Sequence, residues 1–271
     1  MIRKRATMGR IFFPIGFAAI VFLGTQVDAR ASDPIVTLRT RPDVTQSFVL
    51  LKPEMPVASV ILFSGGPGKV PLDKLTPTQL INRGNFLVRA RYEFRRHGLI
   101  VAIVDAPSDQ QAGGMVTFRH GDEHAKDIGA VVDHLREIAA VPVWLIGTSR
   151  GTESVAALAI KLGPRIDGAI LTSTITVDTR GGWSVLRLPL DSIRVPVLVV
   201  AHAGDECFVT PPADAERIRK ALVKSPRAEA RLFEGGDPPR DRDPCEALHA
   251  HGFLGIEKKV VAAIAEFVKG K

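Results

Sequence analysis

A serine flanked by glycines, in the motif GTSRG at residues 147–151, lies between an apolar run and a segment with helical spacing. The run at residues 143–146, VWLI, predicts a strand buried on both faces, as in a parallel sheet. A strand, a serine between glycines and a helix form a nucleophile elbow, a reversal too tight for larger neighbours. We therefore expect Ser149 to present its Oγ above the sheet, at the positive N-terminus of the helix.

Segments that predict strands alternate with segments that predict helices along the rest of the chain. The predicted strands cover residues 58–63, 99–104, 143–146, 166–175, 195–201 and 228–233, after one or two antiparallel edge strands within 35–51. The predicted helices cover residues 86–97, 122–139, 213–223 and 255–268, together with the helix from the elbow to residue 162. This alternation indicates a mostly parallel sheet with helices on both faces, whose ligands bind beyond the carboxyl ends of the strands. Residues 32–271 are therefore predicted to form one α/β domain.

The N-terminal segment differs from the rest of the chain. Basic side chains within residues 3–10 precede an apolar run at 11–24, which is too short to span a bilayer comfortably. Residues 29–31, Ala-Arg-Ala, supply a small-x-small cleavage site. We predict that residues 1–31 are a signal peptide and that the mature chain is periplasmic or secreted, meeting a membrane only during export. The alternative is an uncleaved membrane anchor.

The charge of the chain argues against one broad class of partner. The leader holds five basic residues and one acidic residue, so the formal net charge falls from +7 to +3 without it. A modest positive charge with no basic block argues against nucleic acid as a partner. The sequence predicts no cofactor and indicates no particular oligomeric state.

A serine hydroxyl becomes an effective nucleophile when a histidine takes its proton and an acid orients that histidine. In a fold with this elbow the order along the chain is serine, acid, histidine. Asp205 follows the predicted strand at 195–201 and lies 56 residues after Ser149, so we predict that it is the acid. Asp178, beyond the preceding strand, is the first alternative, and Glu206 is the second.

The base is expected from the loop after the last predicted strand. His251 lies 46 residues after Asp205 and directly precedes the final helix. The carboxyl ends of parallel strands meet at one edge of a sheet, where this loop also begins. We therefore predict that His251 is the base, with His249 as the alternative.

The two cysteines of an exported chain predict one disulfide. Cys207 lies two residues after Asp205, and Cys245 lies six residues before His251. A bond between them would join the loop that contains Asp205 to the loop that contains His251, and it would limit the relative movement of these two side chains. Small misplacements of such groups cost rate. The alternative is two buried free thiols.

Acyl transfer also needs hydrogen-bond donors for the oxyanion that develops on the substrate. One predicted donor is the backbone N–H of Arg150, directly after the candidate nucleophile. The other is expected in SGGPG, residues 64–68, after the strand at 58–63. Proline has no N–H, so Gly66 is the predicted donor and Gly65 is the alternative.

Two pairs of histidines have a spacing that metal ligands can have. His120 and His124 are four residues apart, with Asp122 and Glu123 between them, but this segment is also a typical helix start. His249 and His251 form a second pair, of which the predicted triad already uses one member. We therefore predict no metal.

These features resemble the α/β-hydrolase superfamily over nearly the whole chain after the leader. The motifs that carry the resemblance are SGGPG, GTSRG, HAGDEC and HGF, in that order. More narrowly, the segments GNFLVRARYEF, VDAPSD, EHAKDIGAVVDHLR, PVWLIGTSRGT, VTPP and DPCEALHAHGFLGIE resemble a group of exported bacterial α/β-hydrolases. The chain departs from many esterases at Ser64, where a histidine often precedes the oxyanion glycines.

The resemblance implies the α/β-hydrolase fold and the triad of Ser149, Asp205 and His251. Only about twenty residues, 176–194, connect two predicted strands where a large helical cap is often inserted, so we expect an open site. Its expected walls are Trp183, Leu186 and Leu188 on one side and Leu72, Leu75 and Phe86 on the other. The expected activity is that of a carboxylesterase on a small-molecule ester or amide. A peptidase, an acyltransferase and a non-catalytic binding protein are the alternatives.

Overall fold

The computed structural model describes residues 2, 33–70, 72, 84–179 and 182–270. The predicted signal peptide therefore lies outside the described residues, apart from Ile2. Within the described ranges, no helix combines the length and the apolar character needed to cross a bilayer.

Within the described residues, eight strands form one sheet in the order β1-β2-β4-β3-β5-β6-β7-β8. They are β1 (Ile35–Arg41), β2 (Val44–Leu51), β3 (Ala58–Phe63), β4 (Leu99–Val104), β5 (Val143–Ser149), β6 (Gly168–Thr174), β7 (Val197–His202) and β8 (Ala228–Phe233). The β1–β2 and β2–β4 pairs are antiparallel, and the other five neighbouring pairs are parallel. The predicted mostly parallel α/β sheet is confirmed.

Helices cover both faces of this sheet, as predicted. They are α1 (Phe86–Arg89), α2 (Arg91–Arg96), α3 (Asp122–Ile138), α4 (Gly151–Leu162), α5 (Asp214–Ala221) and α6 (Glu257–Val268). Helices α3, α4 and α5 pack on one face, and α1, α2 and α6 pack on the other. Each face therefore has its own apolar core.

Strand β4 shows why the central strands are apolar throughout. All six of its side chains are buried, because alternate residues point to opposite faces. One set, Ile100, Ala102 and Val104, enters the core beneath α3 and α4, and the other, Leu99, Val101 and Ile103, enters the core beneath α2 and α6. Both faces of the strand are thus removed from water.

The structure refines three of the predicted elements. The helix expected at 86–97 is divided at Ala90, whose backbone (φ −87°, ψ 2°) leaves the α region. The edge segment 35–51 is two antiparallel strands joined by a turn in which Asp43 has φ 57°. Between β6 and β7 the described residues form two short 3₁₀ turns, Val185–Arg187 and Leu190–Ser192. The described part of this connection thus builds no helical cap.

Helix α3 carries a histidine, His124, that is buried in the protein interior. The exposed fraction of His124 is 1%, and neither ring nitrogen has a hydrogen-bond partner among the described residues. The rings of Phe63 and Phe118 lie 5.9 and 5.6 Å from its imidazole. Burial, reinforced by the nearby basic side chains, lowers the pKa of His124 from 6.5 to about 3.

We expect acid to weaken the fold through His124. The unfolded chain binds a proton at this residue near pH 6.5 and the folded chain only near pH 3, so the unfolded state is favoured as the pH falls through this window. Between pH 7 and pH 3.5 the free energy of unfolding should fall by roughly 4 kcal/mol from this group alone. Urea unfolding followed by circular dichroism at several pH values measures the change.

The variant His124→Leu should lose most of this acid dependence. His134→Leu is a matched control, because His134 lies on the same helix and is only partly buried. Equal acid dependence in the wild type and in His124→Leu would show that other groups are responsible.

Candidate active site

The turn after β5 holds Ser149 in a strained backbone conformation. Ser149 has φ 53°, a left-handed value that non-glycine residues rarely adopt. A Cβ on Gly147 would come within 2.4 Å of the Gly151 carbonyl oxygen, and a Cβ on Gly151 within 2.2 Å of the Phe63 carbonyl oxygen. Only glycine fits at either position, which is the physical reason for the G-x-S-x-G pattern.

Residues 64–68 (SGGPG), here called the glycine loop, follow β3 and lie against the turn that holds Ser149. A Cβ placed on Gly65 would stand 3.0 Å from Ser149 Cβ and 3.6 Å from Ser149 Oγ. Gly66 has φ 56°, and it lines the same cavity as Ser149 and Arg150. The structure therefore brings together the serine, both candidate glycine donors and the start of α4. The choice of Gly66 over Gly65 as the donor stays a prediction.

Asp205 and His251 meet at the same edge of the sheet. Asp205 Oδ2 lies 3.0 Å from His251 Nδ1, and both side chains are buried. Asp205 Oδ1 also accepts a hydrogen bond of 3.0 Å from the Cys207 backbone N–H. The carboxylate is thus fixed at both oxygens, with one of them directed at the imidazole.

Thr210, which no sequence pattern indicated, joins this pair. Its Oγ1 donates to Asp205 Oδ2 over 2.9 Å and lies 3.1 Å from His251 Nδ1. The hydroxyl therefore touches both members of the pair. Thr210 stands five residues after Asp205 in the sequence, and only the turn between them brings its hydroxyl back to the carboxylate.

Contacts from three other elements hold the His251 segment. Ser173, at the end of β6, donates to the His251 carbonyl oxygen over 2.7 Å. Arg89 of α1 donates to the Gly252 carbonyl oxygen. The predicted disulfide is present between Cys207 and Cys245. These contacts attach the loop that contains His251 to β6, to α1 and to the loop that contains Asp205.

His251 and Ser149 line one cavity of about 870 Å³. Among the described residues, no hydrogen bond joins Ser149 Oγ to the imidazole. Such contacts often shorten only when substrate is bound. The arrangement thus contains an oriented imidazole and a strained serine facing a common space.

The alternative residues lie in other environments. Asp178 accepts a hydrogen bond from the Ser184 backbone N–H and lies 3.6 Å from Arg187, without contact to His251. Glu206 is exposed. His249 is buried, its Nδ1 has no hydrogen-bond partner in the described structure, and it does not line the cavity. The geometry therefore favours Asp205 and His251.

The cavity walls differ in part from those expected. Phe86 lines the cavity, whereas Leu75 lies outside the described residues. Trp183 instead stacks on the His120 ring at 5.0 Å. Leu186 and Leu188 pack against the core beneath α4, and the wall on that side is formed by Ile175, Thr179, Phe208 and Val209.

The histidines considered as metal ligands have separate partners. His120 Nε2 lies 3.2 Å from Glu153 Oε2, while His124 faces two phenylalanine rings. Across the described ranges, no three histidine, cysteine, aspartate or glutamate side chains converge as a metal site would require.

The sheet order, the elbow after β5 and the residues delivered by the loops after β7 and β8 define the class: this chain has the α/β-hydrolase fold. Neither a protein-family model nor a curated protein sequence matches it.

Three solved structures illustrate the likeness. A soluble variant of the monoglyceride lipase from Saccharomyces cerevisiae, in complex with a substrate analogue, shares 9% identity with a TM-score of 0.61, over 89% of this chain and 96% of the lipase. A predicted CIB-like hydrolase from Thermoplasma acidophilum shares 14% identity with a TM-score of 0.58, over 89% and 99%. A serine hydrolase without a lid from Xanthomonas campestris shares 17% identity with a TM-score of 0.56, over 87% and 95%.

Proposed function

We propose that this chain is an exported serine hydrolase that acts as a carboxylesterase. Ser149 is the nucleophile, His251 is the general base, and Asp205 orients the histidine. The observation that supports the proposal most is the buried contact of 3.0 Å between Asp205 Oδ2 and His251 Nδ1, on an imidazole that lines the cavity of the strained serine.

Acylation begins when His251 Nε2 takes the proton of Ser149 Oγ as the oxygen attacks the carbonyl carbon of the ester. Asp205 keeps the proton of the imidazole on Nδ1 and stabilises the imidazolium that forms. The carbonyl oxygen becomes an oxyanion, which accepts hydrogen bonds from the backbone N–H groups of Arg150 and Gly66. The intermediate then collapses, the alkoxide leaves with the proton from His251, and an acyl-enzyme remains.

Deacylation repeats these steps with water. His251 removes a proton from the water, which attacks the acyl carbon, and Ser149 leaves with the proton restored. The cavity accommodates a small-molecule ester or amide, and its apolar residues, among them Phe86 and Phe208, would contact the acyl or leaving group. The neighbouring structures named as a lipase and a hydrolase without a lid support esters as the first substrates to test.

Export is supported by independent features. Residues 1–31 have the pattern of a cleaved signal peptide. The disulfide between Cys207 and Cys245 suits an oxidising compartment such as the periplasm or the exterior.

A substrate panel tests the activity. The purified protein is assayed with p-nitrophenyl esters of increasing acyl length, beside peptide p-nitroanilides, lactones and an added acceptor alcohol. Saturable ester hydrolysis is the expected result. Preferential cleavage of peptides would indicate a peptidase, and faster transfer to the alcohol than to water would indicate an acyltransferase. No turnover of any substrate would contradict the proposal and favour a binding protein.

The hydroxyl of Thr210 should contribute to the rate through His251. We expect Thr210→Val to lower kcat for ester hydrolysis about tenfold, the loss of roughly one hydrogen bond to the charged pair. Thr210→Ser keeps the hydroxyl and should remain within about threefold of the wild type. If both variants hydrolyse esters at the wild-type rate, Thr210 has no part in orienting the pair.

A further inference from the structure

A buried arginine lies behind the glycine loop that borders the cavity. Arg119 is 2% exposed and stands in the 3₁₀ turn before α3. Its Nη2 donates to the Gly66 carbonyl oxygen over 3.1 Å, and its Nη1 donates to Ser154 Oγ over 2.9 Å. Ser154 lies on α4, the helix that follows Ser149. One guanidinium therefore connects the glycine loop to the helix of the nucleophile.

The glycine loop is shaped around this guanidinium. Gly68 has φ 75°, and a Cβ there would come within 2.6 Å of Arg119 Nη2. The loop is also braced by hydrogen bonds from the Gly68 N–H to the Gly65 carbonyl and from the Met115 N–H to the Pro67 carbonyl. The Arg119 bond fixes the peptide after Gly66, and the brace at Gly65 fixes the peptide before it. The Gly66 N–H belongs to the peptide before Gly66, so the brace at Gly65 restrains it directly, and the Arg119 bond restrains the peptide that follows.

The charge of Arg119 is not neutralised by a close partner. Among the described residues, no carboxylate oxygen lies within 4.0 Å of its guanidinium, although Glu153 attracts it and Arg150 repels it from further away. Burial is the largest influence and lowers the pKa of Arg119 from 12.5 to about 10, so the group stays protonated at neutral pH. Burying an unpaired charge opposes folding. A role in stability alone therefore does not explain a buried cation at this position.

We propose that Arg119 is a positioning residue of the oxyanion site: it restrains the Gly66–Pro67 peptide and places a cation behind the loop that faces the negative charge developing on the substrate oxygen. This inference rests on the proposed serine hydrolase function. The cation interacts more strongly with the tetrahedral oxyanion than with the neutral ester, so it stabilises the transition state more than bound substrate. The low dielectric of the buried site strengthens this difference.

The test compares Arg119→Met, Arg119→Lys and Ser154→Ala in the purified protein. Steady-state hydrolysis of a p-nitrophenyl ester gives kcat and KM per active site, with active sites counted by fluorophosphonate titration. We expect Arg119→Met to lower kcat about 100-fold with KM within about threefold of the wild type. The kcat of Arg119→Lys should be about tenfold higher than that of Arg119→Met, because lysine keeps the charge but reaches only one of the two acceptors. Ser154→Ala keeps the charge and loses one anchor, so kcat should fall about threefold to tenfold.

A boronic acid that mimics the tetrahedral intermediate supplies the readout that a purely structural role would not move. Its affinity should fall in parallel with kcat across the three variants. Arg91→Met is the matched control, because Arg91 is also fully buried but pairs with Asp33 at 3.1 Å. This control should lose stability and keep kcat per active site.

The inference is overturned if folded Arg119→Met keeps kcat within about threefold of the wild type. It is also overturned if the lower rate of Arg119→Met is explained entirely by fewer titratable active sites. If Arg119→Met does not fold, unchanged kcat in both Arg119→Lys and Ser154→Ala overturns it. If instead the wild type neither hydrolyses esters nor reacts with the fluorophosphonate, the proposed function itself fails and takes this inference with it.

Discussion

Ser149→Ala is expected to lower kcat for ester hydrolysis by about 10⁴-fold or more. The methyl side chain cannot form the acyl-enzyme, so only the contributions of the oxyanion donors and of substrate binding remain. KM should change little, because the Oγ contributes far more to the transition state than to the bound ester. Steady-state kinetics with a p-nitrophenyl ester measures the effect.

The control for this substitution is Ser192→Ala. Ser192 lies between β6 and β7, and its Oγ donates to the Pro189 carbonyl oxygen over 2.7 Å. This variant should keep the wild-type rate, and circular dichroism should show both variants folded. Activity of Ser149→Ala within tenfold of the wild type would mean that another group is the nucleophile.

Loss of the His251 imidazole should have an effect of similar size. We expect His251→Ala to lower kcat by about 10⁴-fold, because no other base of the described residues pairs with the Asp205 carboxylate. Ser149 would then keep its proton at neutral pH and attack the ester poorly. The measurement is kcat for the ester that serves as substrate for Ser149→Ala.

His249→Ala provides the comparison two residues away. His249 is buried, does not line the cavity and forms no hydrogen bond with Asp205 among the described residues, so this variant should stay within about fivefold of the wild type. The reverse pattern, with full activity in His251→Ala and loss in His249→Ala, would assign the base to His249.

Much of the fold was predictable because strands buried on both faces are apolar at nearly every position, a pattern that is visible in the sequence. Strands β3, β4 and β8 begin and end at the predicted residues. The break at Ala90 was not predictable, because the amphipathic spacing continues on both sides of it. A change in backbone angles at one residue has no signature in such a pattern.

In the candidate site, some residues were predictable from the sequence and others were not. The tight turn at Ser149 was predictable because the reversal of the chain demands small residues at fixed positions beside it. The contact between Asp205 and His251 was predictable because parallel strands end at one edge of the sheet. The catalytic roles of the three residues stay predictions. The positions of Thr210 and Arg119 beside the site were not predictable, since the tertiary fold creates their contacts. The expected wall at Trp183 failed for the same reason: its ring stacks on His120, which arrives from a distant loop.

The site of covalent labelling decides whether the strained serine is the reactive group. The protein is treated with a fluorophosphonate, digested with trypsin and analysed by mass spectrometry. Residues 137–150 form one tryptic peptide, in which Ser149 is the only serine. We expect one adduct per chain, carried on Ser149 in that peptide and absent from Ser149→Ala. An adduct on another residue, or none on a folded protein, would contradict this expectation.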